Sequence, residues 1–167
     1  MIRKTYISSL KSVAVTGLLL MLVSCGGGFT GTLRGLLAAS PAFFDSLQLG
    51  GDRAAVVQDF TDLSNGAITL GDELKACGSD KPCKVAAIDR YQGRFWDVLR
   101  RGHFKLSPKL DRVQRAIQGV IDAARIFYGG GLGAKGQSTA AGSTPARAST
   151  DADLKASLDE LRNALQP

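Results

Sequence analysis

The chain holds one histidine, one tryptophan, two methionines and three cysteines in 167 residues, and only 7% of its positions are aromatic. Each scarcity closes off a chemistry. The lone histidine, His103, stands among Arg101, Gly102, Phe104 and Lys105 at an expected helix end, where it is placed to meet terminal carbonyls or water rather than a nucleophile. Two cysteines and one histidine fall short of the four ligands of a structural zinc site. Nucleophile-elbow, phosphate-binding glycine-loop and metal-binding helix motifs are absent, and the glycines of 26–28 and 129–136 follow no fingerprint. Asp59 with Asp62 and Asp72 with Glu73 are carboxylate pairs of the sort an acid–base mechanism uses, but on amphipathic helices they are expected as exposed charges. The reading is therefore of a non-enzymatic protein with no catalytic residue, metal, cofactor or small-molecule substrate assigned. Strand-like alternation of apolar and polar residues is also missing, which points to an all-α fold.

What is present begins at the N-terminus. Arg3, Lys4 and Lys11 precede an apolar run from Val13 to Val23 that only Thr16 and Gly17 interrupt. A bilayer-spanning helix needs roughly 20 apolar residues, and this run is about half that, so the pattern reads as a cleaved export signal over 1–24. Its end, Leu22, Val23, Ser24 and Cys25, closely resembles the lipobox of bacterial lipoproteins. That resemblance covers the first 25 residues and implies cleavage before Cys25, lipid on its thiol and attachment to a membrane of the bacterial envelope. Gly26 follows where aspartate favours inner-membrane retention, so the outer membrane is implied if the cell has one. Two or three acyl chains hold a protein stably, at about 0.8 kcal/mol per buried CH₂, and the folded domain then needs no apolar face of its own. Cys25–Gly28 would serve as the lipidated tether.

Removing the leader takes away three of the 21 basic residues and none of the 15 acidic ones, so the formal charge falls from +6 to +3. Nucleic-acid binding is not expected from so small an excess in an exported chain, and Tyr91, Phe95 and Trp96 are expected as core aromatics. The distribution is uneven: Cys25–Asp80 carries a net −4, and Lys81–Arg115 a net +7. The basic set is Lys81, Lys84, Arg90, Arg94, Arg100, Arg101, Lys105, Lys109, Arg112 and Arg115. It can pack against the acidic half, or face an anionic membrane surface or cell-wall polymer.

Helical spacing organises the mature chain into a bundle domain over 29–128, a flexible Gly/Ala/Ser/Thr linker over 129–148 and a short helix over 149–167. The first helix, Thr30–Leu49, should be kinked or divided at Pro41, with Ser40 capping its second part. Leu49–Asp52 reads as a stop followed by an N-cap at Asp52. The second helix carries Val56, Phe60, Leu63, Ala67, Leu70, Leu74 and Cys77 in alternating steps of four and three, a bundle seam weakened by Gly66 and Gly71. A third, Pro82–Arg101, aligns Ile88, Tyr91, Phe95 and Val98, with Trp96 and Leu99 beside them. The fourth opens at Ser107 and Pro108 and aligns Leu110, Val113, Ile117, Val120, Ala124 and Phe127. Four such helices predict an up-and-down bundle. Thr150 should cap the last helix, whose Leu154, Leu158, Leu161 and Leu165 either fold back onto the bundle or dock on another envelope protein.

With Cys25 committed to lipid, Cys77 and Cys83 form an even pair in an oxidising compartment, and a disulfide across the turn between the second and third helices is expected. The functional expectation is a lipid-anchored envelope scaffold or adaptor. Membrane or wall binding through 81–115 is the alternative, as is an envelope lipoprotein of a phage or mobile element.

Overall fold

The computed structural model describes residues 28–129 and 151–167. The leader, the lipobox with Cys25, residues 130–148 of the expected linker and the Thr150 cap lie outside the described residues. Six α-helices account for most of the described residues: α1 (Phe29–Leu37), α2 (Pro41–Ser46), α3 (Arg53–Ala76), α4 (Lys81–Arg100), α5 (Pro108–Gly129) and α6 (Asp151–Ala164). Short 3₁₀ turns at Gly50–Asp52 and His103–Leu106 join them, and no strand occurs among the described residues.

The expected first helix is divided where Pro41 predicts. α1 stops at Leu37, and α2 restarts with Pro41 in its first turn while the Ser40 hydroxyl accepts the Phe43 amide at 3.3 Å. α4 and α5 open in the same way, with Asp80 accepting from the Cys83 amide and Ser107 from the Leu110 amide. Each cap satisfies one of the amides a helix start leaves without a partner. Asp52 departs from expectation: its side chain caps nothing. Gly50, with φ of +55°, lets the chain wind directly from a 3₁₀ turn into α3, and Arg53 reaches back to Asp45 at 2.7 Å.

Five of the helices form a closed ring. α1 packs on α3, α3 on α4, α4 on α5, α5 on α6, and α6 touches α1. Successive members run antiparallel: Thr30 of α1 lies beside Gly71 of α3, while the Arg34 carbonyl, a turn later, accepts from the Ser64 hydroxyl a turn or two earlier. The seam residues Val56, Phe60, Leu63, Ala67, Leu70 and Leu74 are all buried, as are Ile88, Tyr91, Phe95 and Val98 of α4 and Leu110 to Ala124 of the α5 stripe. Gly66, which weakens α3 by about 1 kcal/mol relative to alanine, has a packing reason. A Cβ there would stand 3.1 Å from the Tyr91 ring, whose hydroxyl donates to the Leu63 carbonyl at 3.2 Å. Trp96 corrects the expectation of a core aromatic: it is 44% exposed. Phe95 points into the core, and Trp96, about 100° round the helix from it, falls at the exposed edge of the stripe with its ring 5.6 Å from that of Phe95.

The C-terminal helix belongs to this core. Leu154, Leu158, Leu161 and Leu165 are buried in the same cluster as the other five helices' apolar residues, so the stripe that could have docked elsewhere is spent on α5 and α1. Cys77 and Cys83 are disulfide-bonded, with their Cα atoms 5.6 Å apart, and staple the α3–α4 turn. Leu161 is fully buried at the α5–α6 seam. Leu161→Ala should therefore lower the unfolding free energy by about 2 to 5 kcal/mol, read by chemical denaturation, whereas a helix that merely hung from the bundle would leave it unchanged.

Candidate functional site

The bundle has two unlike poles. At one, α1 begins and α5 ends: the Phe29 and Tyr128 rings lie 6.0 Å apart, and Lys84 Nζ sits 5.6 Å from the Tyr128 ring centre. The disulfide-stapled turn and the start of α6 share this end. Burial, and then the Asp151 carboxylate, push the Tyr128 phenol above its ordinary pKa of 10.0. The other pole holds the start of α3, all of α2, the 3₁₀ turn at His103–Leu106 and the start of α5. A helix of 20 residues such as α4 sets these poles roughly 30 Å apart.

Among the described residues, the buried carboxylate and its ionisable partners lie at this second pole. Asp59, in the second turn of α3, is only 1% exposed. Its Oδ1 accepts from Arg101 Nη1 at 2.8 Å and its Oδ2 is 2.7 Å from His103 Nδ1. A carboxylate accepts, so His103 carries its proton on Nδ1. The same Arg101 nitrogen donates to Asp62 Oδ2 at 2.5 Å. Gly102 makes the geometry possible, because its φ of +85° reverses the chain just past α4 and lays His103 against the flank of α3. Directly beneath, Phe104 stacks on Phe60 at 5.5 Å, and Phe60 meets Phe43 and Phe44 edge-on at 5.6 and 5.4 Å.

These contacts overturn two expectations. Asp59 is buried rather than exposed, and His103 meets a carboxylate rather than helix-end carbonyls. Both partners of Asp59 lie more than 40 residues away in sequence, beyond any local pattern. His103 and Asp59 share the hydrogen bond that orients a catalytic base, but no hydroxyl or thiol is described within hydrogen-bonding reach of the histidine, so the geometry supplies a base without a nucleophile. What the arrangement does accomplish is to clamp the α4–α5 connection onto α3. Among the described residues no three His, Cys, Asp or Glu side chains are placed to hold a metal ion, and no helix is long and apolar enough to cross a membrane.

The basic residues of 81–115 do not form one face. Lys81 and Lys84 stand at the first pole, and Lys109 and Arg112 at the second, with Lys105 in the 3₁₀ turn there. Between them, Arg90 donates two hydrogen bonds to Glu73 at 2.9 and 3.0 Å and Arg100 pairs with Asp97. Arg94 lies over the Gly66 side of the α3–α4 seam. Arg115 is exposed on α5. The Glu73–Arg90 and Asp59/Asp62–Arg101 pairs join the acidic α3 to the basic α4, so part of the charge asymmetry is consumed by packing. Asp72 is exposed, as expected of it.

No protein-family model, curated protein or solved structure matches the chain.

Two measurements follow from the clamp. Asp59→Ala should cost about 1 to 3 kcal/mol of stability, because it removes both hydrogen bonds that hold the α4–α5 connection on α3 and empties a buried site while Arg101 keeps Asp62, whereas Asp62→Ala at the rim should cost less than about 1 kcal/mol. The hydrogen bond from Arg101, then that from Gln58, hold the Asp62 carboxyl below its ordinary 3.8. A depressed carboxyl contributes stability that is present above the unfolded value and is lost as pH falls through the lower folded value. Thermal melting should therefore fall more steeply below about pH 4 in the wild type than in Asp62→Asn.

Proposed function

We propose that the protein is a lipid-anchored, non-enzymatic component of the bacterial cell envelope that works by contact, as a scaffold or adaptor. The observation that carries this reading is the sequence Leu22-Val23-Ser24-Cys25 at the end of a basic and then apolar leader too short to span a bilayer. The fold is compatible with such a role: a closed ring with a stapled turn and a continuous core presents a rigid body, and the buried charge cluster around Asp59 is occupied in holding the chain together.

Only Gly26 and Gly27 separate Cys25 from Gly28, so a lipidated Cys25 would lie within about 11 Å of Gly28, the residue before α1. Under the lipoprotein reading, the first pole is then the membrane-proximal one. This narrows the second reading, attraction to an anionic surface, to the lysines of that pole. Lys75 and Lys81 are exposed and Lys84 half-buried, each worth about 1 kcal/mol near acidic headgroups before salt screening. Lys105, Lys109, Arg112 and Arg115 would stand away from that membrane.

The test is metabolic labelling with an alkyne fatty acid in the native host. Label should enter the wild-type protein and be absent from Cys25→Ser, which should also move from the membrane to the soluble fraction. Equal labelling of both proteins removes the lipid anchor and with it the assignment to the envelope.

A further inference from the structure

At the second pole, between the start of α5, the end of α2 and the end of α6, lies an open cleft of about 630 Å³. Its polar side chains are Ser46, Ser107, Lys109, Arg112, Asn163 and Gln166; no Asp or Glu lines it, and Pro167, the last described residue, stands at its wall. Two cations thus face a concave space, and neither is within ion-pair distance of a carboxylate among the described residues, whereas most of the other arginines described above are matched to carboxylates. Lys109 is already held in position: its ammonium donates to Ser46 Oγ at 2.7 Å and lies 5.4 Å from the centre of the Phe43 ring, leaving further N–H donors for a ligand. Ser46 spends its own proton on the Phe43 carbonyl at 2.6 Å, which fixes the hydroxyl that holds the lysine. Ser107 Oγ accepts from the Leu110 amide, so its proton remains to be donated. Arg112 makes no ion pair among the described residues. The Asn163 and Gln166 side-chain amides, on the opposite wall, offer both donors and acceptors.

We infer that this cleft binds a small organic anion, one that carries at least one carboxylate or phosphate group for Lys109 and Arg112 and hydroxyl or amide groups for Asn163 and Gln166. The volume falls in the range of about 300 to 1,000 Å³ usual for small-ligand sites and exceeds what a single inorganic ion would fill. The lining is polar where a hydrophobic ligand would need apolar walls. A planar guanidinium beside an ammonium suits paired anionic oxygens, since the first grips them bidentately and the second adds charge. None of the cleft's residues lies at the tether pole, so the site does not depend on lipid at Cys25. It does depend on α6, which supplies one wall.

The experiment is a titration of the full-length, ¹⁵N-labelled protein in detergent with citrate and, separately, with glucose 6-phosphate, followed by amide chemical shifts. Saturable shifts are expected for Lys109–Arg112 and Asn163–Gln166 with at least one of the two probes, and its affinity should fall about tenfold or more in Arg112→Gln. Arg115→Gln removes the same charge one turn further along α5, outside the cleft, and should leave affinity within about twofold. Arg112 is exposed, so its substitution spares the core; Lys109→Gln is the second variant, accepted only if its far-UV circular dichroism matches the wild type. If neither probe saturates, or if Arg112→Gln and Arg115→Gln weaken binding equally, the cleft attracts anions only by general charge and the inference is overturned. Binding of one probe and not the other would identify the anionic group as carboxylate or phosphate.

Discussion

Burying a carboxylate costs several kcal/mol unless its charge and both oxygens are answered, and the second pole of the bundle is organised around answering Asp59. Its two oxygens receive Arg101 and His103, residues that flank the reversal at Gly102, so the charge can be satisfied only when the chain leaves α4 along one path. That path sets Phe104 on Phe60 and delivers Ser107 to the head of α5. An apolar contact could have held the same segment with similar strength. The ionic contact is more selective, because a slip of one residue would bring Gly102 or Phe104 opposite the carboxylate and leave it unpaired.

The ring follows a complementary logic. α3 carries much of the acidic stretch 25–80 and α4 much of the basic stretch 81–115, and their shared rim is crossed by Glu73–Arg90 near one end and Asp62–Arg101 near the other. Pairs as exposed as these add little stability individually, since water already solvates them and salt screens them. Placed at both ends of one seam, they favour the correct axial register of two long helices over shifted ones. Burial of the apolar stripes provides the larger driving force, and that burial is complete only when α6 fills the gap between α5 and α1.

The helices were legible in the sequence because their cause is local: a 3.6-residue period shows in the spacing of Val56 to Leu74 and of Leu110 to Ala124, and Ser40, Pro41, Ser107 and Pro108 announce their own roles. The disulfide was legible because Cys77 and Cys83 are the two cysteines left once Cys25 is set aside, and only five residues lie between them. The Asp59 clamp was not, because its partners are joined by topology alone, and an aspartate one step from a seam position looks like any solvated charge. Trp96 was misjudged because a stripe read with generous width admits both Phe95 and its neighbour. The position of α6 was underdetermined for a different reason: four leucines on one face state that the face will be covered, and only the arrangement of the other helices states by what. The cleft escaped because it is made by the ends of three elements far apart in the chain.

The ring contains five passes, and five is odd. An even number of antiparallel passes returns a chain to the side on which it started; an odd number carries it across. Gly28 accordingly lies at one pole and Pro167 at the other, and closure obliges α6 and α1, alone among neighbours in the ring, to run in the same direction. The two ends of the described fold, Gly28 and Pro167, stand on opposite faces of the body, so the parity of the helix count gives the molecule an axis with a sense: a near side and a far side, separated by the length of a helix.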